Sequence, residues 1–233
     1  MERIYIVGGD ARMEYAVQAL EREGPSAARI TLEKAWEHAA CGSMMVGGGL
    51  PPTLGAYDYL GDEVFLYGNA RLTAEGALVL LGNSTAGQLF GADIAVIGMG
   101  RIAECLCPLL RAVGARVTVY ARRAEVLARA RAMGARTVQF TERLPASAVQ
   151  HEMLCNTVPH LLLDAQLLED ARGDILLLEL ASAPGGFDPD AVAERGLQYV
   201  NGQGLPGKYA PRAAGELIAE YVLRVMKGEI IHE

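Results

Sequence analysis
The sequence has no apolar run long enough to cross a bilayer, so no transmembrane span is expected. It is also short of positive charge. Twenty-one Lys and Arg against 28 Asp and Glu leave a formal charge of −7, which argues against a nucleic-acid partner. Only four cysteines are present, Cys41, Cys105, Cys107 and Cys155, scattered without the spacing of a disulfide framework. With only four histidines and no cluster joining them to the cysteines, no metal site is expected either. The amino terminus is expected to enter a strand almost at once, from Arg3, so no secretory signal is expected. Reduced thiols in a cytoplasmic protein are the expectation.

Glycine, in contrast, is plentiful at 27 residues, and its placement is informative. Asp93-Ile-Ala-Val-Ile-Gly-Met-Gly-Arg-Ile-Ala103 reads as a buried strand, a glycine turn and the start of a helix. Gly98 suits the tight turn, Gly100 allows close backbone approach to a pyrophosphate, and Ala103 takes the small position where helix packs on strand. The helix expected from about Ile102 to Val113 would aim its free N–H groups and positive dipole at the phosphates. Gly114 would close it. A second strand follows, from Val117 to Tyr120-Ala121, and ends in Arg122-Arg123. An NAD site usually places an acid at that strand end, for the ribose 2′-hydroxyl. Two arginines suit a 2′-phosphate, so the expected cofactor is NADP. Solvated loop arginines are the plainer alternative.

Alternating apolar segments and helical patterns continue to about Val200, with strands expected near Arg136–Phe140, His151–Val158, Asp174–Leu180 and Gly196–Val200. The fold class read from this is α/β, a doubly wound parallel Rossmann sheet with a smaller N-terminal α/β lobe. The lobe and a linker helix would occupy 1–88, the nucleotide domain 89–208, and a closing helix returning towards the first lobe 209–233. Within the lobe, Arg3–Asp10 reads as strand into glycine turn, Arg12–Glu23 as helix, and Arg29–Leu32, Met44–Val46 and Glu63–Tyr67 as short strands. Thr73 is read as the cap of the linker helix, which would run towards Gln88. The cofactor cradle would comprise Gly98, Gly100, Arg101 and Ile102 at the pyrophosphate, with Tyr120, Ala121, Arg122 and Arg123 at the ribose. Thr157, Val158, Pro159, Ala181 and Ser182 would border the nicotinamide. Gly204, Leu205 and Pro206 would form a loop closing over it.

Several separated motifs together resemble the A subunits of bacterial dipicolinate synthase. They are Gly8-Gly-Asp-Ala-Arg12, Glu75-Gly76, Val96-Ile-Gly-Met-Gly-Arg101, Tyr120-Ala-Arg122, Cys155-Asn-Thr157 with Pro159, Leu180-Ala-Ser182 with Pro184-Gly-Gly186, and Gly204-Leu-Pro-Gly207 with Ala210-Pro211 and Ala214-Gly215. They occur in family order along nearly the whole chain. The resemblance implies an NADP-dependent oxidoreductase of sporulation that converts a dihydrodipicolinate-type dicarboxylate to dipicolinate, working with a flavoprotein-like B subunit. It also implies a longer first lobe, with a helix and strand that this chain lacks between about Pro52 and Asp62.

Oxidation of a cyclic imine dicarboxylate needs cations for two carboxylates and a route for one ring proton. Arg12, Arg212 and Lys208 are the substrate-binding candidates. Arg12 has the strongest case because it follows a glycine turn at the carboxyl end of a strand. Proton transfer falls to His160, Glu75 or Asp10, and Asp10 is equally suited to cap the first helix. Two other functions compete with catalysis of this reaction: a non-catalytic, regulatory NADP(H)-binding role, and a 2-hydroxy-acid dehydrogenase. The second class requires an ordered Arg, acid and His that the sequence does not supply. A homodimer through the linker or closing helix is expected, because a small lobe buries little surface by itself.

Overall fold
A computed structural model describes residues 3–39, 43–84 and 88–230. Cys41 lies outside them. The chain divides into two compact units, Met1–Leu72 with Pro206–Glu233, and Thr73–Leu205.

The first unit opens with β1 (Ile4–Val7), α1 (Ala11–Glu23), β2 (Ala27–Ile30), α2 (Leu32–Ala39), β3 (Met45–Gly47) and β4 (Tyr57–Asp58). Its sheet has the order β2-β1-β3-β4 and every pairing is parallel. Two short 3-10 turns, Pro52–Leu54 and Tyr59–Gly61, flank β4. Asp10 begins α1 by accepting the Arg12 N–H at 2.9 Å, and Gly24 ends it in the left-handed region at φ 109°. The core of this unit joins Ile4, Ile6, Met13, Leu20 and Val46 to Tyr59, Phe65 and the closing helix α9 (Pro211–Met226).

Two expectations for the first unit fail at α3 (Glu63–Ser84). Glu63–Tyr67 is its first turn and not a strand. Asp62 starts the helix by accepting the Phe65 N–H at 2.8 Å, and Phe65 turns into the core. Thr73, taken as a cap, therefore lies buried in mid-helix. Gly68 and Gly76 do not break the helix. At Gly68 a Cβ would come within 2.7 Å of Leu217 on α9, so the missing side chain lets two helices approach.

The second unit contains β5 (Asp93–Ile97), α4 (Arg101–Ala112), β6 (Arg116–Ala121), α5 (Ala124–Ala132), β7 (Arg136–Gln139), β8 (Met153–Asn156), α6 (Ala165–Glu169), β9 (Leu176–Glu179), α7 (Pro189–Glu194) and β10 (Gln198–Asn201). The six strands run parallel in the order β10-β9-β8-β5-β6-β7. Alternate residues enter opposite cores. Ile94, Val96, Cys155, Leu176 and Leu178 pack on one face, and Ala95, Ile97, Leu154 and Leu177 on the other. Burial on both faces is why these strands read as unbroken apolar runs, and it makes this a doubly wound α/β sheet. β5 and β8 adjoin where the strand order reverses, so the loops leaving their carboxyl ends flank the switch point.

Candidate functional site
The turn between β5 and α4 is built as the glycines suggest. Gly98 adopts φ 91° and donates to the Tyr120 carbonyl at 2.9 Å. A Cβ there would come within 2.7 Å of Thr157 Oγ1 and Val158 Cγ2. At Gly100 a Cβ would meet nothing within 4 Å, so this face of the turn is open. Gly100 is also the N-cap of α4 and contributes no side-chain cap to this twelve-residue helix, whose positive end points towards the open face of the turn.

Beside the turn lies a cleft of about 310 Å³. Val126, Phe140, Val158 and Leu162 give it apolar walls, and Ala121, Arg122 and Arg123 follow the end of β6 at its rim. Both arginines are exposed; Arg123 approaches Glu125 at 3.7 Å, and the Arg122 carbonyl accepts from Gln139 Nε2 at 2.9 Å. An open glycine turn, a helix start without a side-chain cap and an apolar cleft fit a pyridine dinucleotide.

Of the residues expected in the cradle, Gly98, Gly100, Tyr120, Ala121, Arg122, Arg123 and Val158 line this cleft. Tyr120 keeps its ring in the core, where its hydroxyl meets His151 Nε2 at 2.9 Å, and reaches the turn through its carbonyl. Arg101 is exposed at the first position of α4, with Ile102 half-buried behind it. Thr157 is fixed through its hydroxyl to the Ile97 carbonyl at 2.8 Å, and Pro159 is exposed just beyond Val158. Ala181 is buried, whereas Ser182 is exposed. The segment from Gly204 is no open loop. Leu205 is buried in the core of the second unit and begins the short helix α8 (Leu205–Tyr209), with Pro206 also buried.

The proton-transfer and substrate candidates fare unevenly. Asp10 and Arg12 form a two-pronged pair, Nε to Oδ1 at 2.9 Å and Nη2 to Oδ2 at 2.7 Å. That guanidinium holds the Asp10 carboxyl below the usual carboxylate range, so Asp10 is a cap and an arginine clamp and makes a poor base. Arg12 itself is partly buried, and two of its five N–H groups go to Asp10. A Cβ at Gly207 would stand 3.3 Å from Arg12 Nε, and neighbouring Lys208 is exposed. Arg212 is a surface residue, its side chain 70% exposed and paired with Glu216 at 3.1 Å, one helical turn along α9. His160 is exposed after β8, its N–H donating to the Val158 carbonyl, while Glu75 is half-buried on α3. Tyr59, which the sequence does not single out, is buried with its ring against Gly48, where a Cβ would come within 2.5 Å.

Sequence comparison adds independent information. The chain is 32% identical over 166 residues to the dipicolinate synthase A subunit of Bacillus subtilis (strain 168). That match covers 71% of the chain but only 55% of the relative, a little over half of its length. Over that stretch the chain is similar to a dipicolinate synthase A subunit. A family model described as the NAD-binding domain of D-isomer specific 2-hydroxyacid dehydrogenases matches residues 71–184. The fold agrees with two crystal structures of dipicolinate synthase A subunits. The Bacillus halodurans one aligns with a TM-score of 0.81 at 21% identity, covering 97% of each chain. The Bacillus subtilis one gives 0.84 at 21% identity, covering 97% of this chain and 96% of that one. The chain thus has the fold of these structures, a Rossmann unit that matches an NAD-binding domain included. Where the resemblance implies a further helix and strand, the chain has the two 3-10 turns and the two-residue β4.

Proposed function
We propose that this relative of the dipicolinate synthase A subunits is an NADP-dependent oxidoreductase that oxidises a dihydrodipicolinate-type cyclic imine dicarboxylate to dipicolinate in sporulation, beside a B subunit. The observation that carries the cofactor half is the turn at Gly98 and Gly100, opening beside a cleft with Arg122 and Arg123 at its rim. The reaction and the partner are carried over from the relative, which is one subunit of dipicolinate synthase.

With NADP⁺ bound, the chemistry supplied is hydride acceptance: the dihydropyridine ring loses a hydride and a proton and becomes aromatic. The chain's own task is then to bind and orient. The α4 N-terminus and Gly100 take the pyrophosphate, Arg122 and Arg123 take the 2′-phosphate, and the apolar cleft takes the adenine. Arg12, held by Asp10, is the residue we assign to a ring carboxylate. Arg212 is set aside because its charge is spent on Glu216 in solvent. His160 is the proton-transfer candidate we retain, since an exposed imidazole exchanges readily with water.

The test is dipicolinate formation followed by ultraviolet absorbance, with the product of dihydrodipicolinate synthase and NADP⁺ supplied, with and without the B subunit. Enzyme-dependent product is expected. No product in either mixture, with NADPH binding intact, would favour a non-catalytic role. A second reading, dehydrogenation of a 2-hydroxy acid, has the family model at 71–184 in its favour, and turnover of 2-hydroxy acids alone would establish it.

A further inference from the structure
β9 is apolar until its last residue, where Glu179 is only 1% exposed. A carboxylate inside a sheet loses its hydration, and burial pushes this one up against the pull of its hydrogen bonds. Those bonds come from three places in the sequence. Oε1 accepts from Asn156 Nδ2 at 2.8 Å and from the Ala181 N–H at 2.9 Å; Oε2 accepts from the Gly186 N–H at 2.7 Å. Asn156, fully buried, passes the tie onward by donating to the Val158 carbonyl at 2.9 Å and accepting the Val158 N–H at 3.1 Å. Gln203 adds the segment after β10, donating to the Ala181 carbonyl at 2.8 Å.

The local glycines are shaped around this carboxylate. Gly185 has φ 86°, and a Cβ there would lie 2.7 Å from Glu179 Oε2; at Gly186 a Cβ would lie 2.4 Å from Asn156 Nδ2. A hydrophobic residue at 179 would avoid that desolvation but would leave the Asn156 amide and the Ala181 and Gly186 N–H groups without this acceptor. What the acid adds is direction: it fixes the backbone of the loops that leave β8 and β9, while its own described bonds all go to protein.

We propose that Glu179, assisted by Gln203, is the positioning residue for the nicotinamide half of the cofactor, acting through the loops at Thr157-Val158 and Ala181–Gly186. The inference rests on the NADP reading above. The adenine half, held by Arg122, Arg123 and the 310 Å³ cleft, meets this network only at Val158. The two halves therefore respond differently to its loss.

Glu179→Gln turns an acceptor into an amide that faces an N–H donor, leaving at least one loop tie unmade. Calorimetric titration of the full chain with NADPH and with 2′,5′-ADP, which carries the adenine and 2′-phosphate but no nicotinamide, separates the outcomes. The variant is expected to bind NADPH about tenfold more weakly and 2′,5′-ADP within about twofold of wild type. Unchanged NADPH affinity, or equal loss for both ligands, overturns the inference. Should the variant fail to fold, Gln203→Ala at a half-buried site takes its place. It is expected to weaken NADPH alone by about threefold, and unchanged NADPH affinity again overturns the inference. A wild-type chain that binds neither ligand defeats the NADP reading and this inference together. Wild-type binding of both ligands, undisturbed in the variants, defeats only the positioning role.

Discussion
Asp62 does two things at once: it caps α3 and receives both prongs of Arg224, at 3.0 and 2.8 Å. The two side chains are only 13% and 20% exposed, so solvent screens this pair less than it screens Arg212–Glu216. The Arg224 guanidinium draws the Asp62 carboxyl below its ordinary value of 3.8. A folded-state value lower than the unfolded one means the stabilisation is complete above the unfolded value and fades as pH falls through the folded one. Asp62→Asn keeps a capping oxygen and removes the charge. It is expected to cost about 1–2 kcal/mol at pH 7. The gap between the urea midpoints of the two proteins should narrow as pH falls below about 4 and close below the lowered folded-state value; a gap that does not narrow with falling pH would show that the ion pair is not its source. Glu179 belongs at this scale too. A single acid ending an apolar run was visible in the sequence, but nothing local reveals that its donors lie at 156, 181 and 186.

The helices α1, α3 and α9 hold the first unit together through places where side chains are missing. At Gly215 on α9 a Cβ would lie 2.5 Å from the Arg12 carbonyl and 2.6 Å from Tyr15 Cβ, on α1. Backbone cannot yield as a flexible side chain does, so Gly215→Leu should force the helices apart at a cost of about 2–3 kcal/mol, read as a lowered denaturation midpoint. An unchanged midpoint would mean that the α1–α9 contact contributes little. This packing also explains what was legible in the sequence. Strands β5, β6, β8 and β9 are buried on both faces and bounded by turns, so a short apolar run announces each one. The start of α3 resembles a strand because Val64, Phe65 and Tyr67 favour strands in isolation and Gly68 resembles a break; both preferences yield to packing against distant Leu217 and to the Asp62 cap. α2 escapes notice because it buries only Ala35 and so shows little of an apolar stripe. In the candidate site, the glycine turn follows from spacing. The burial of Leu205, the inward ring of Tyr120 and the surface position of Arg212 depend on contacts between residues far apart in sequence.

At the scale of the whole molecule, the Thr73–Leu205 unit is assigned to NADP, and the unit of Met1–Leu72 with Pro206–Glu233 to holding Arg12. Similarity to the dipicolinate synthase A subunits gives the fold, and the family model the nucleotide-binding unit; the proposed choice of NADP over NAD rests on this chain's own Arg122 and Arg123. Both arginines stand exposed at the strand end, so replacing them should leave folding intact and change ligand choice alone. The most direct measurement is a parallel titration of the wild-type chain and an Arg122→Ala/Arg123→Ala variant with NADPH and NADH. The wild type is expected to prefer NADPH by at least about tenfold, roughly one charge-assisted phosphate contact, and the variant to bind the two equally through loss of NADPH affinity. Equal affinities in the wild type, or a preference that survives the double substitution, would contradict the assignment of the 2′-phosphate to these residues.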